Sequence, residues 1–475
     1  MSVDEQTPPA WAGPAATGAS ADPGFLTRPR LTRGERRTRG KAVRAAVPRE
    51  SHAEVPAPSE RPDARAVLAR QNADREPGLV PLRHERMATD PFAFLRGSAA
   101  VMAADLAGLP RTPLAVQLCG DAHAANFGMF ASPDRRLVFD LNDFDETLSG
   151  PFEWDVKRLA ASIAVIGRVN GISDRKTRRA VTATVAEYRT TMRTLSVTPT
   201  LDAWYARVDV DPLMARVRDL GLRTAARRAR AKAERSTGDS AAAKLTTISA
   251  AGRRFRSRPP LLVPVEEAEH PGVTARLTTL FGGYLRSLPE DRAVLLTRYR
   301  LVDLAHKVVG VGSVGTRALV VLLESGDGEP LILQIKQAGR SVLEPYLHES
   351  RISHAGRRVV IGQRLLQATG DPFLGWTTGT LPALPYYVRQ LRDMKGSIEP
   401  ADLDGDALAA YGRLCGAVLA RAHCRAGDAA AISGYLGKSP VFDEAVTAFA
   451  LAYADLTDTD HGMLVRARGQ RAVPA

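Results

Sequence analysis

The sequence predicts an α+β protein with two lobes, a large lobe that is mostly helical and a small lobe built on a β-hairpin. Segments with helical periodicity dominate residues 61–295 and 397–475. Between them, residues 306–338 alternate apolar runs rich in β-branched residues with a glycine loop and a Gly-Asp-Gly-Glu turn. The chain has 475 residues, 44% of them hydrophobic, which is enough to bury a sizeable core.

The chain divides into four parts by composition and periodicity. Residues 1–60 are rich in Pro, Ala, Gly and charge without periodicity, which predicts a disordered basic arm. Residues 61–295 are expected to form most of the large lobe, including an arginine-rich helical insert at 213–258. Residues 296–396 are expected to form the small lobe and a hinge, and residues 397–475 the helices that complete the large lobe.

Helices are predicted where apolar residues recur every three to four positions, and strands where short apolar runs are bounded by turn residues. An Asp-Pro pair opens the segment at 90–109, which is typical of a helix start. The predicted helices cover residues 64–72, 90–109, 154–169, 173–195, 342–347, 356–367, 407–425 and 442–456. The predicted strands cover residues 114–118, 137–139, 330–338 and 386–391, together with an apolar strand on either side of the glycine loop.

Charge and cysteine content limit the class of protein. The net charge of +13 suits anionic partners such as nucleotides, nucleic acid or acidic lipid headgroups, and an ordinary solvated surface explains it equally well. The basic stretches at 31–50 and 213–258 could clamp or cover an anion, or could be solvated faces. Three cysteines without a CxxC pair favour a reduced, cytoplasmic location. Neither a secretory signal nor an 18-residue apolar run is found, so no membrane span is predicted.

The stretch from Leu114 to Glu153 concentrates polar side chains behind two short apolar runs. Both runs predict buried strands, and strand ends that bring carboxylate and amide oxygens to one point suit a divalent cation. The alternative is that Asp and Asn simply favour turns. The polar residues in question are Asp121, His123, Asn126, Asp140, Asn142, Asp143, Asp145 and Glu146.

The glycine loop fits a site for nucleotide phosphates. Gly310, Gly312 and Gly315, with Ser313 among them, form a GxGxxG pattern. A strand follows the glycines, which favours the phosphate-covering hairpin of protein kinases over a dinucleotide site, where a helix would follow. A tight turn that requires glycines is the alternative.

Lys336 lies in the apolar strand that follows the hairpin turn. Such a lysine is placed to reach the phosphates of a nucleotide, and Glu344 is its expected ion-pair partner. A lysine that protects an edge strand from aggregation is the alternative.

Three motifs resemble those of kinase-like enzymes. Residues 119–126, CGDAHAAN, resemble the HGDxxxxN catalytic loop of aminoglycoside phosphotransferases, with cysteine in place of the first histidine. Residues 139–145, FDLNDFD, resemble the metal-binding segment of these enzymes, and residues 151–160 resemble the helix start that follows it. The glycine hairpin comes after these motifs rather than before them, so the resemblance implies a circularly permuted, bilobed, protein-kinase-like fold.

The resemblance implies roles for the catalytic loop. Asp121 would orient the acceptor hydroxyl and take its proton, and His123 would lie beside it. Asn126 would share in catalysis and hold Mg²⁺ on the phosphates of ATP.

The resemblance also implies roles for the segment after the second strand. Asp143 and Asp145 would bind Mg²⁺, and Asp140 competes with them for that role. Asp155 would brace the catalytic loop from beneath.

The wider pattern, over roughly residues 40–460, is similar to the bacterial family DUF2252, and this similarity implies no substrate. We therefore predict an ATP- and Mg²⁺-dependent phosphotransferase with an unknown acceptor, which the basic insert favours as anionic. AMP transfer is a variant of this prediction. The alternatives are a non-catalytic kinase-like module that binds nucleotide or nucleic acid, and a metal-dependent phosphoesterase suggested by the GDAH sequence.

Overall fold

The computed structural model describes residues 26–27, 29–250, 252–266, 270–308, 314–380, 383–391 and 393–471. Gly310, Gly312 and Ser313 lie outside the described residues, as does the part of the predicted basic arm that precedes residue 26. The described chain is a mixed α+β protein, as predicted, with a large helical body and one six-stranded sheet. No helix within these ranges is long and apolar enough to cross a membrane.

Five helices precede the first strand of the described chain, and the side chain of Asp90 caps the fourth by accepting from the amide of Ala93 at 2.7 Å. The single helix predicted over 90–109 is two helices, because the chain leaves helical geometry at Ser98. The five helices are α1 (Arg33–Ala42), α2 (Ala64–Asn72), α3 (Val80–Met87), α4 (Pro91–Gly97) and α5 (Ala99–Ala107).

Two small antiparallel sheets follow, one formed by β1 and β4 and the other by β2 and β3. The two strands predicted in this region, β1 and β3, are therefore not neighbours, because β2 lies between them in sequence and pairs with β3. The strands are β1 (Ala115–Leu118), β2 (Phe127–Ala131), β3 (Leu137–Leu141) and β4 (Leu148–Pro151).

The next part of the chain is mostly helical and then enters the large sheet at β7. Its helices are α6 (Glu153–Val169), α7 (Asp174–Leu195), α8 (Thr200–Tyr205), α9 (Val210–Arg216), α10 (Leu220–Glu234) and α11 (Gly238–Leu245). Its short strands are β5 (Thr246–Ser249), β6 (Gly252–Phe255) and β7 (Leu262–Pro264), and α12 (Val273–Leu285) and α13 (Glu290–Leu296) follow them.

The large sheet is antiparallel throughout, in the order β11–β12–β10–β9–β8–β7. One face packs on α12 through residues such as Leu333 and Tyr284, and the other packs on α11 through Ile332 and Ala242. The remaining elements are β8 (Tyr299–Lys307), β9 (Ala318–Ser325), β10 (Pro330–Gln337), α14 (Ala355–Leu366), β11 (Gly375–Thr378), β12 (Pro385–Gln390), α15 (Gly405–Ala426), α16 (Ala429–Leu436) and α17 (Val441–Arg471).

The main core lies in the helical body, where α6 is buried along nearly its whole length between β1–β4 and helices α7, α15 and α17. A helix that is covered on all sides positions its residues firmly. Because α6 begins directly after β4, this core fixes the loops at the ends of β1 and β3.

The N-terminal segment differs from the predicted disordered arm. α1 begins with a capping box between Thr32 and Glu35 and packs against α16 near the other end of the chain. The two helices approach so closely that a Cβ on Gly40 would lie 1.8 Å from the carbonyl oxygen of Ala431. Composition alone suggested disorder because the segment's partner lies nearly 400 residues away in sequence, a separation no local pattern can reveal.

The predicted helix at 342–347 is a series of turns, and the helix predicted at 442–456 extends to Arg471 as part of α17. The arginine-rich insert at 213–258 packs its small residues under α15 and the sheet and exposes its arginines. Several of these arginines form surface ion pairs, such as Arg230 with Glu234 at 2.8 Å. This arrangement is the solvated helix face that sequence analysis left open beside the flap interpretation.

Candidate active site

A cleft of about 700 Å³ lies between the loops after β1 and β3, the segment after β10, and helices α2 and α4. We call one side the acidic wall, formed by Asp121, Asn126, Asp143 and Asp145. We call the group formed by Arg70, Arg75 and Arg96 the arginine wall. Acceptor, metal and phosphate groups could all be accommodated in a cleft of this size.

Asp155, at the start of α6, holds the loop after β1 from beneath. Its two carboxylate oxygens accept from the backbone amides of Cys119 at 2.6 Å and Gly120 at 3.0 Å. His423 Nε2 lies 3.2 Å from the same carboxylate, and the hydroxyl of Tyr188 lies 2.8 Å from His423 Nδ1. All these groups are buried, so the loop rests on a connected polar network in the core.

Gly120 permits the tight turn that leads into Asp121. Its φ is +87°, and a Cβ there would lie 2.2 Å from the carbonyl oxygen of Glu146. That same oxygen accepts from the hydroxyl of Ser341 at 2.7 Å, and the Glu146 carboxylate accepts from the amide of Val342 at 2.8 Å. The loops of the acidic wall are thereby joined to the segment that follows β10.

Asp121 is held by a buried arginine. Arg158 Nε and Nη2 lie 2.8 and 2.7 Å from the same oxygen of Asp121, and Nη2 also donates to the carbonyl of Leu95 at 2.6 Å. Burial raises the pKa of Asp121 above its ordinary value, and the charge of Arg158 opposes part of that rise. A carboxylate that faces a cleft and has a raised pKa is a stronger base than an ordinary aspartate, which suits it to accept a proton.

His123 lies beside Asp121, with Nε2 3.7 Å from the second carboxylate oxygen. Its side chain is 4% exposed, and burial, followed by the charges of Arg96 and Arg158, holds the pKa of the imidazole well below its ordinary value. The ring is therefore neutral at physiological pH. It is the single histidine among the described residues that line the cleft, so the histidine-rich ligand set of a dinuclear phosphoesterase is not assembled there.

Asn126, Asp143 and Asp145, the residues of the metal hypothesis, all line the cleft. Asn126 Nδ2 donates to the carbonyl of Asp121 at 2.7 Å, which leaves the amide oxygen for a cation. Burial and the neighbouring Asp145 raise the pKa of Asp143. Within the described residues no group of three or more His, Cys, Asp or Glu side chains is arranged as a metal cage. Two carboxylates and an amide oxygen nevertheless fit Mg²⁺, which binds few protein ligands and completes its shell with phosphates and water.

Asp140 does not line the cleft. It lies on the opposite side of β3, near the guanidinium groups of Arg425 and Arg421, and burial raises its pKa to about 7. Of the three aspartates that sequence analysis could not rank, the structure therefore places Asp143 and Asp145 in the cleft and Asp140 away from it.

Lys336 is buried and forms an ion pair with Asp145, which also accepts a hydrogen bond from the hydroxyl of Tyr387 at 2.7 Å. Burial alone would lower the pKa of Lys336, but the charge of Asp145 raises it above its ordinary value. The same pair lowers the pKa of Asp145 in spite of its burial. Through this contact Lys336 reaches the acidic wall.

The predicted pair between Lys336 and Glu344 is not formed. Glu344 accepts from the amide of Ser341 at 3.0 Å and from Arg340 Nε at 3.1 Å, so it stabilises the turn after β10 instead. α14, the helix that follows, contains no acidic residue that could replace it. Arg358 of this helix donates to the carbonyl of Asp145 at 2.8 Å and so fixes the position of the aspartate that pairs with Lys336.

Gly315 is the part of the glycine loop that the structure describes. Its φ is +90°, and its carbonyl accepts from the amide of Glu76 at 2.8 Å. Arg75 donates to the neighbouring carbonyl of Val314 and also lines the cleft. The segment after α2 thus joins the end of the glycine loop to the cleft.

Sequence analysis did not identify the arginine wall. Arg70, Arg75 and Arg96 lie on or beside helices α2 and α4, where single arginines cannot be told from ordinary solvated residues. The one available signal was weak, since Arg96 follows an apolar run in α4 whose other side chains are mostly buried.

A family model described as an uncharacterized protein conserved in bacteria, DUF2252, matches residues 75–467 of this sequence. No curated protein matches the chain, and no solved structure matches it. The matched range contains every residue of the acidic wall, the glycine loop and Lys336. The chain belongs to the DUF2252 family.

Proposed function

We propose that this protein is a kinase-like phosphotransferase that uses ATP and Mg²⁺. The proposal depends on one observation: polar side chains of the loops after β1 and β3 line a single cleft, and the ammonium group of Lys336 reaches this cleft through its ion pair with Asp145. Groups that bind metal, accept a proton and neutralise phosphate are the parts that phosphoryl transfer requires.

The order of elements in the large sheet supports the same function. β8 and β9 flank the glycine loop, and Lys336 lies on β10, the third strand of this run, as the phosphate-contacting lysine does in protein kinases. The kinase-like fold in permuted order is part of the proposal. The departure from the kinase pattern is that Asp145, rather than a glutamate of the following helix, pairs with the lysine.

Three residues of the acidic wall, Asp121, Asn126 and Asp143, act directly in the proposed reaction. The acceptor hydroxyl would lie beside Asp121, forming its bond to the γ-phosphorus as the bond from that phosphorus to the β–γ bridging oxygen breaks. The hydroxyl proton passes to Asp121 and then to solvent, and ADP leaves. Asn126 and Asp143 would hold Mg²⁺, which supplies neutralisation of the phosphate charge when bound.

Calorimetric titration of the full chain with ATP tests the proposal. We expect ATP to bind only with Mg²⁺, and Asp143→Asn to weaken that binding at least roughly 30-fold, because a metal-binding carboxylate is lost. Asp140→Asn is the matched control, since it makes the same change three residues away, outside the cleft, and should leave the affinity within about twofold.

Absence of Mg²⁺-dependent ATP binding in the wild-type protein would refute the function. Equal losses in both variants would show that Asp143 acts through folding rather than through metal. Mass spectrometry of the acceptor product, once one is found, separates transfer of a phosphoryl group from transfer of AMP.

A further inference from the structure

The two walls of the cleft differ in how their charges are matched. On the acidic wall, Asp121 is paired with Arg158 and Asp145 with Lys336. On the arginine wall, the part of the chain that the structure describes offers no carboxylate within ion-pair distance of any of its three residues. None of these three guanidinium groups is therefore held in an ion pair, although Asp74, Asp145 and Glu146 lie near enough for their charges to act on Arg75.

Arg96 is the clearest case. Its guanidinium lies 5.9 Å from the ring centroid of Phe92, and its Nε is buried without a hydrogen-bond partner among the described residues. A half-buried guanidinium of this kind keeps hydrogen-bonding capacity that a bound anion can satisfy. Its neighbours are Asp121 and His123, both of which feel its charge after the larger effects of burial on their pKa values.

Arg75 and Arg70 extend the positive surface toward the glycine loop. Arg75 Nε is also buried without a partner in the described chain, although the same guanidinium holds the carbonyl of Val314. Arg70 is exposed on α2 and lines the same cleft. Three guanidinium groups around one space, none of them in an ion pair within the described chain, favour a ligand group that is an oxyanion.

We propose that the arginine wall is the acceptor subsite, and that the acceptor carries an oxyanion, a phosphate or a carboxylate, in addition to the hydroxyl that receives the phosphoryl group. The inference rests on the proposed function, because it places that hydroxyl beside Asp121. Arg96 would hold the oxyanion, with Arg75 and Arg70 around it. A cationic acceptor such as an aminoglycoside would be repelled by the same surface.

The test uses inorganic phosphate and malonate as probes for the two kinds of oxyanion. Each is titrated by calorimetry into the full-length protein, first alone and then with a saturating non-hydrolysable ATP analogue and Mg²⁺. We expect one of the two to bind under both conditions, and Arg96→Gln to weaken it at least roughly tenfold, since a charged hydrogen bond is lost. Binding of the ATP analogue should change less than about twofold. Arg228→Gln, which removes an exposed arginine of α10 outside the cleft, is the charge-matched control.

Three outcomes would overturn the assignment. Binding of neither probe to the wild-type protein removes the oxyanion site. In the second outcome, the nucleotide abolishes probe binding and Arg96→Gln weakens nucleotide binding tenfold. The arginine wall would then be part of the nucleotide site instead. If Arg96→Gln and Arg228→Gln lower the affinity for the probe equally, the effect comes from net charge and not from a specific site. If the wild-type protein fails to bind the ATP analogue, the proposed function fails, and the titrations without nucleotide still decide whether the oxyanion site exists.

Discussion

On the acidic wall every functional side chain is tied to the protein, whereas on the arginine wall the functional atoms are mostly left without partners. Asp121 is gripped by Arg158, Asn126 by the loop backbone, and Asp145 by both Lys336 and Tyr387. On the arginine wall, Arg75 makes one hydrogen bond to a backbone carbonyl, and Arg96 Nε has no hydrogen-bond partner among the described residues.

This difference shows how the two sides divide the work. Groups that must stabilise charge during a reaction are most effective when their positions are fixed before substrate arrives. Groups that recognise a ligand can instead keep hydrogen-bonding capacity that only the ligand satisfies, which makes binding depend on the correct ligand. The acidic wall should therefore contribute to stability, and the arginine wall should not.

Replacing one arginine from each side tests that contrast most strongly. Arg158→Gln leaves the carboxylate of Asp121 and the carbonyl of Leu95 without their buried partner, and should lower the free energy of unfolding by roughly 3 kcal/mol. Arg96→Gln removes a charge that has no partner in the described chain and should change the free energy of unfolding by less than about 0.5 kcal/mol.

Urea denaturation followed by circular dichroism measures both changes. Comparable losses in the two variants would show that the arginine wall is structural, and would remove the distinction drawn here.

A glycine pair tests how rigidly the acidic wall is built. Gly120→Ala forces a Cβ against the carbonyl oxygen of Glu146 and strains a backbone with φ of +87°, so it should cost roughly 3 kcal/mol. Gly171→Ala, with φ of +66° and open space around it, should cost only about 1 kcal/mol. Thermal melting of both variants provides the measurement, and a Gly120→Ala melt no lower than that of Gly171→Ala would mean that the loop can shift freely.

Asp140 gives a smaller, pH-dependent prediction. Its pKa is about 7 in the folded protein and lies near the ordinary value of 3.8 in the unfolded chain. A carboxyl with a raised folded pKa contributes stability below its unfolded pKa and loses it as pH rises through the folded value. Relative to Asp140→Asn, the wild-type protein should therefore lose stability between pH 4 and 7, by roughly 3 kcal/mol.

Denaturation midpoints of the two proteins at pH 4, 6 and 8 would show this divergence. Parallel curves would mean that the arginines near Asp140 already neutralise its charge in the folded state.

The acidic wall could be predicted from the sequence because its information is local. Short apolar runs predict strands, and the residues just beyond them, such as Asp121 and Asp143, must lie at strand ends wherever the strands are placed. Lys336 could be placed on a strand for the same reason. Its partner could not be predicted, since the choice of Asp145 over Glu344 depends on α14 packing against the loop after β3.

The arginine wall and the basic insert show why functional arginines are difficult to predict from sequence alone. The sequence draws attention to residues 213–258 because arginines are dense there, yet none of the described residues in this range lines the cleft. Arg70, Arg75 and Arg96 are sparse and look ordinary, and only the long-range packing of α2 and α4 brings them together. A dense run of arginines indicates a solvated surface. The proposed function depends instead on which arginines the fold leaves without an ion-pair partner.

The contact between α1 and α16 also has a consequence for how the chain is made. Arg36 pairs with Asp428, 392 residues later, so α1 leaves the ribosome about 20–80 seconds before its partner exists. Through that interval it has no apolar face to protect, because its sequence, RGERRTRGKA, is almost entirely charged or small. The same charged residues that predicted a disordered arm thus keep α1 soluble until α16 has been synthesised. The helical body is complete only when the last fifth of the chain has been synthesised, and until then the loops after β1 and β3 lack part of the core that supports them.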